Sequence, residues 1–493
     1  MFELGQLKFG PMLGALVFLV AMVVGAYWSH MRSRVSSEGF VEDWFISSRT
    51  IGGFALAMML SATYLSASSF VGGPGAAYKF GYGWALLASV QIPATLVTLA
   101  VLGKKFAIAA RKVDAVTVVD FLKERYDYKP VTVLGAISII IFFLAAMMAQ
   151  FIGGATILQT MTGLPYNVGL IIFGSAITAY IIIGGLRGVA FVNTMFGVVM
   201  VIGSIGLILL AITKAGGIGP ITMHLKSIDP GMITPTGPQG SPLNPLWILS
   251  FFLLVCFAIV GLPHVSIQGY AYKDSKSLHK ALIIGTIVMG WLILTLHTVG
   301  AWGEFFVPGI ERSDQAITQL TIHLFPGWIG GFILAAILAA ALGTIDTQLL
   351  IVTGAIVRDL YANFVNKDVS EKKIQKMVYT TTVIISAIVI YATMNPPDLL
   401  VWFNIFGLGG LETTFLLPFV MGLYWKRANK YGALSSMITA MITYIILYER
   451  IGTVVWKVHP IVWSLLIGLI IFITVSYITP KPRKEIIEKF WGV

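Results

Sequence analysis

Residues 61–75 read SATYLSASSFVGGPG and sit inside one of the longest apolar stretches of the chain. Six hydroxyls fall between Ser61 and Ser69, and Gly72, Gly73, Pro74 and Gly75 follow at once. A polar group taken into hydrocarbon without a partner is costly, and proline removes a backbone donor and breaks the helix around it. The stretch therefore faces something other than lipid. A second stretch breaks its own helix in the same way: FFLLVCFAIVGLPHVSIQGY, residues 251–270, is interrupted at Gly261 and Pro263 and carries His264 and Gln268 beyond the break.

The surroundings of these stretches decide what kind of molecule contains them. Of 493 residues, 57% are hydrophobic and 11% charged, with a mean hydropathy of +0.87. Soluble domains carry roughly 25% charged residues. Apolar runs near the about 20 residues that span a bilayer recur at 9–27, 53–72, 84–103, 131–158, 166–184, 190–213, 246–270, 281–305, 327–353, 378–394, 398–424, 432–448 and 461–478. Only helices or closed barrels satisfy their backbone in lipid, so the pattern predicts an all-α integral membrane protein of about thirteen helices. The first run follows the hardly basic MFELGQLKFG and precedes HMRSR, the reverse of a signal peptide, and predicts a retained helix. The single Cys256 excludes an internal disulfide.

Net charge is +11, and its distribution is more telling than its size. With alternate gaps assigned to opposite faces, 28–52, 104–130, 185–189, 271–280, 354–377, 425–431 and the tail after 478 hold 26 of the 33 basic residues. The positive-inside rule then predicts an external N-terminus and a cytoplasmic C-terminus. The charge is topological and gives no case for nucleic-acid binding. Within these gaps, 113–130 predicts a short interfacial helix and 358–376 a solvated loop.

The interrupted helices are the second and the seventh, five apart. An odd offset gives two halves, 53–213 and 246–424, opposite orientations in the membrane, and paired interruptions in such halves mark a transporter's midplane site. The remaining segments are 1–52, an extra helix and cytoplasmic loop; 214–245, an external loop; and 425–493, two helices and a cytoplasmic tail.

Seven ordered stretches carry a more specific message: TYLSASSFVGGPGAAYKFGYGW (63–84), LGKKFAIAARK (102–112), QFIGGA (150–155), GLPH (261–264), YKDSK (272–276), LGGLE (408–412) and GLYWKRAN (422–429). Over nearly its whole length the chain resembles the sodium:solute symporter family, nearest its sodium/pantothenate branch. The resemblance implies a five-plus-five inverted-repeat core with one helix before and two after, and sodium-coupled uptake of a small organic solute at the cell membrane. It places one sodium between the first and eighth core helices. The matching positions are Ala62 and Leu65, through carbonyls, with Ala340, Gly343 and Thr344 in AALGTID (340–346).

The chain departs from the family pattern in three places. Gly343 stands where a hydroxyl residue is usual. Asn193 and Phe196 stand where the family has Asp and Gln, whereas Asp346 stands where relatives carry an uncharged residue, so that an Asn193/Asp346 pair replaces Asp/Asn. Gln268 replaces an arginine of the pantothenate branch. A carboxylate at a membrane helix centre costs about 2.5–3.5 kcal/mol unless compensated. Asp346 is read either as a cation ligand or proton acceptor, or as an acid facing a watery cytoplasmic cavity.

Tyr64, Ser66, Ser68, Ser69, Gln150, His264, Gln268 and Glu412 are the solute-binding candidates; Gln150 and His264 serve equally as hydrogen-bonding props, and Glu412 as a helix-end acid. Expected partners are an anionic small solute, co-transported sodium and the lipid bilayer, with no obligatory protein partner. No catalytic signature stands in a credible context, and His264 with Glu412 or Asp346 is the one pair that an enzyme reading could use. A sensor reading would call for cytoplasmic domains beyond the short tail.

Overall fold

The computed structural model describes residues 9–32, 51–396, 401–451 and 457–492; most of the expected loop at 28–52 lies outside the described residues. Ten described helices are long and apolar enough to cross a membrane. A bent pair, Gly53–Tyr64 and Ser68–Phe80, makes an eleventh crossing, and the shorter apolar helices Phe9–Gly25 and Pro245–Gly261 fall on two further predicted spans. Each of the thirteen expected positions is thus helical. Among the described residues there is no strand, only an isolated parallel bridge between Ile51 and Tyr272.

The chain begins with α1, Phe9–Arg32, and continues through α2, Gly53–Tyr64, and α3, Gly73–Phe80, to the span α4, Tyr82–Lys112. The short α5, Val118–Tyr126, is the interfacial helix expected from sequence. Its TVVD start forms a capping box, Thr117 accepting from the Asp120 N–H and the Asp120 carboxylate from the Thr117 N–H. Then come α6, Lys129–Thr162, and α7, Tyr166–Lys214. Helical hydrogen bonding in α7 runs unbroken, yet it carries two spans, Tyr166–Ile183 and Val189–Lys214. A straight helix would hold residues 180 and 193 about 20 Å apart, whereas both side chains reach the carboxylate of Asp346. The run is therefore bent between its two spans.

The second set of five starts with α8, Pro245–Gly261, followed by α9, Ser275–Phe306, and α10, Gly327–Gly354. Helical turns continue α10 to Val365, which corrects the loop expected at 358–376. The reason is burial: Val357 and Asp359 face inward, and Asp359 accepts a hydrogen bond from Thr117. The core closes with α11, Glu371–Ala392, and α12, Val401–Tyr424; α13, Lys430–Ile451, α14, Pro460–Ile478, and the tail helix α15, Lys484–Trp491, complete the chain.

Packing explains the order. α10 is the central helix, 82% of its apolar window being buried. It lies against α1, α6 and α7, while α9 covers α2, and α12 packs along α6. The first helix of each five is the interrupted one. At one end the two are joined: Ile51 N–H donates to Ala271 C=O at 3.0 Å, and Lys273 N–H donates to Ile51 C=O at 2.9 Å.

Candidate functional site

The first interruption falls at Leu65–Ala67. Leu65 is extended, at φ −77° and ψ 93°, and the axes on either side differ by 65°. Unwinding frees backbone groups that a buried segment must satisfy elsewhere. The Ala67 N–H donates to Oε1 of Gln150 at 2.7 Å, and the Gln150 amide donates in turn to Asn404 Oδ1 at 3.0 Å. Gln150 thus props the break open from α6. In the second interrupted helix, five residues from Leu253 adopt wide π turns, Leu262 is extended, and Pro263 opens a new short turn.

The two breaks meet. The Tyr64 hydroxyl lies 2.7 Å from the Val255 carbonyl and 3.0 Å from Oε1 of Gln91. Around them is a cavity of about 620 Å³ whose wall includes Tyr64, Ser66, Ser68, Ser69, His297 and Glu412. Among the described residues neither Lys nor Arg lines it. Glu412 is buried and its Oε2 has no hydrogen-bond partner among the described residues. Nδ1 of His297 lies 2.8 Å from the Ile293 carbonyl, which makes Nδ1 the protonated nitrogen and Nε2 an acceptor. A Cβ on Gly73 would overlap that Nε2, so glycine is required for α9 to bring His297 to the break.

A separate polar cluster lies between α2, α7 and α10. The Thr344 hydroxyl donates to the Thr63 carbonyl at 2.9 Å and lies 3.3 Å from the Ala340 carbonyl. At Gly343 a Cβ would stand 2.9 Å from the Ala62 carbonyl oxygen and 3.0 Å from Oδ1 of Asn193. That Oδ1 is buried and has no donor among the described residues, and both oxygens border the space that a side chain at 343 would fill. Sodium is satisfied by such hard oxygens. From the same residue, Asn193 Nδ2 reaches the Gly343 carbonyl at 3.4 Å and Asp346 Oδ1 at 3.5 Å. The buried Asp346 also accepts from Tyr180 at 3.2 Å and Thr347 at 3.0 Å. Asn193 therefore links the Ala62–Gly343 contact to the acid.

Not every sequence candidate reaches these places. Tyr64, Ser66, Ser68, Ser69 and Glu412 line the cavity; Gln150, His264 and Gln268 do not. The His264 ring packs edge-on to Phe143 with centroids 5.2 Å apart, and Gln268 Nε2 donates to the His264 carbonyl at 3.4 Å. His264 forms no hydrogen bond to Glu412 or Asp346 among the described residues. Position 268 lies off the wall, so glutamine there removes no charge from the cavity. Gln91, Tyr180, His297 and Asn404 were missed. Each is a lone polar group in an apolar run, a pattern that marks function in membranes; attention to the broken helices passed over them.

The profile of the sodium:solute symporter family matches residues 44–440. The sodium/pantothenate symporter of Escherichia coli (strain K12) is 42% identical over 459 residues, covering 93% of this chain and 94% of that one. That of Haemophilus influenzae is 41% identical over 468 residues, 95% of this chain and 96% of that one. Among solved structures, a substrate-bound, outward-open Na⁺-coupled sialic acid symporter superposes with a TM-score of 0.79 at 17% identity, over 96% of this chain and 98% of that one.

Proposed function

The chain belongs to the sodium:solute symporter family, a multi-pass sodium-coupled symporter of a small organic solute, and we propose that its solute is pantothenate or a close carboxylate relative. The similarity to two sodium/pantothenate symporters along nearly the full length supports this choice. So does the cavity chemistry. Serine hydroxyls, the His297 ring and a break in the backbone suit a solute with hydroxyls, an amide and a carboxylate. A wall without Lys or Arg among the described residues leaves an anion's charge to be balanced by the ion that accompanies it. Carrying an anion inward against a negative interior costs about 2.3 kcal/mol per 100 mV. One sodium cancels that term, and a second cation reverses it.

The first sodium is assigned to the Ala62 and Leu65 carbonyls with Ala340, Gly343 and Thr344. The second cation is assigned to Asn193 and Asp346. The observation that carries this reading is the buried Asn193 Oδ1, without a donor among the described residues, bordering the same Gly343 gap as the Ala62 carbonyl and beside an acid. The basic-residue asymmetry supports an N-terminus outside and import toward the 26-residue basic face.

Uptake of labelled pantothenate into proteoliposomes tests the assignment. An inward sodium gradient should be required; uptake indifferent to it would rule symport out. Asp346→Asn should abolish or alter the cation dependence in a protein that still folds, and the swapped pair Asn193→Asp with Asp346→Asn should regain part of it. Wild-type sodium activation in the single variant would remove Asp346 from the site. Dependence on an imposed pH gradient instead would assign the second place to a proton.

A further inference from the structure

At the end of the molecule that carries α5 and the tail, a second cavity of about 620 Å³ opens between Arg125–Asp127, Asn429–Tyr431 and Pro480–Arg483. Four wall residues are basic, Arg125, Lys430, Lys481 and Arg483, against a single acid, Asp127. That acid is already paired with Arg483, Nη1 to Oδ2 at 3.0 Å. Arg125 is fully buried and donates to the carbonyls of Gly422, Trp425 and Ala428, and its Nη1 has no hydrogen-bond partner among the described residues. Lys430 lies over the faces of Tyr128 and Tyr431, 5.2 Å from each centroid, with no ion pair among the described residues. A neighbouring cavity of about 810 Å³ shares Lys481 and Pro482 and adds Lys426, Arg427 and Lys484 against Glu488. Two adjoining hollows therefore hold a surplus of positive charge that the described protein leaves without counter-ions.

We propose that these hollows bind the phosphate of an anionic phospholipid headgroup. Guanidinium and ammonium groups are the usual partners of phosphate, and basic pockets at the ends of membrane helices take acidic headgroups. The location selects a lipid over a soluble anion. α12 ends at Tyr424, α13 starts at Lys430 and α14 ends at Ile478, so the hollows lie where apolar spans give way to water. Beside them Tyr477 and Ile478 are 62% and 77% exposed, an apolar surface along which acyl chains can run while the phosphate meets Lys430 and Lys481. The bound headgroup would tie the tail and α13 to α5. The inference stands apart from the identity of the solute.

The full-length protein in phosphatidylcholine nanodiscs, with phosphatidylglycerol or cardiolipin added in steps, provides the test, read by native mass spectrometry and thermal midpoint. Anionic lipid should be retained and should raise the midpoint. Lys430→Gln with Lys481→Gln should cut retention about 25-fold, about a factor of five for each direct lysine–phosphate contact removed. The charge-matched pair Lys372→Gln with Lys376→Gln, from the exposed start of α11 at the same end, should leave retention unchanged. Equal loss in both pairs, or none in either, would overturn the site. Millimolar inorganic phosphate that matches the lipid's effect in neutral nanodiscs would overturn the lipid assignment.

Discussion

At the scale of single residues, the glycine at 343 and the acid at 346 belong to one arrangement. A hydroxyl residue at 343 would press its Cβ between the Ala62 carbonyl and Asn193 Oδ1, so the smallest residue is what lets Asn193 approach. The acid moves to 346, where Tyr180, Asn193 and Thr347 solvate it. Gly343→Ala should therefore weaken sodium activation of uptake at least about tenfold, and the overpacking should cost about 1–3 kcal/mol of stability. A sodium titration of uptake beside a thermal-unfolding series checks both, and an unchanged sodium response would detach Gly343 from the ion path. In the sequence, the family resemblance already paired Asn193 with Asp346 and set Gly343 beside Ala62. That Asn193 also stands against the Ala62–Gly343 contact was not visible, because nothing in the linear order brings a side chain of α7 against the backbone of α2.

At the scale of elements, an unwound helix lasts only while its freed backbone groups find partners. Gln150 was read as either a ligand or a prop; the structure uses it to accept from Ala67 N–H while Asn404 holds its amide. Gln150→Leu would strand a buried N–H, at a cost of about 1–3 kcal/mol, and should reduce uptake with a fall in thermal midpoint. Gln150→Glu keeps an acceptor and should recover more of both. A leucine variant as stable and active as the parent would show that Ala67 finds another acceptor. The breaks themselves were legible because proline and clustered glycine leave a local mark. The props were not: a lone amide reads the same whether it meets a solute or a backbone. The helical extension to Val365 was hidden for a similar reason, since Arg358 and Asp359 look solvated until Asp120 and Thr117 at the start of α5 are seen to engage them.

At the scale of the whole molecule, Trp84, Phe251 and Val401 line the solute cavity, and away from it α5 is locked to the helical extension of α10. Asp120 accepts from the Val116 and Thr117 N–H groups and pairs with Arg358 at 3.1 Å, while Thr117 donates to the buried Asp359 at 2.8 Å. Between this lock and the cavity, Gln348 is fully buried with neither amide atom partnered among the described residues. A site so deprived of partners is suited to meet water when that lock opens. Asp120→Ala should loosen the lock: a cysteine at 348, in a Cys256→Ser background, should pass from protected to reactive toward a water-soluble maleimide. Persistent protection would mean that α5 does not gate that site. The thirteen helical runs and the paired breaks could be read from hydropathy and from proline and glycine, whereas this lock could not, because it joins α5 to the extension of α10, which lie far apart in the chain.

The short bridge at Ile51 has a mechanical consequence. Its N–H and C=O are both engaged by the strand-like segment around Tyr272, which ties the feet of the two broken helices together. Tilting one helix must then either carry the other along or give up two backbone hydrogen bonds, a toll of about 1–3 kcal/mol on any stroke that parts them.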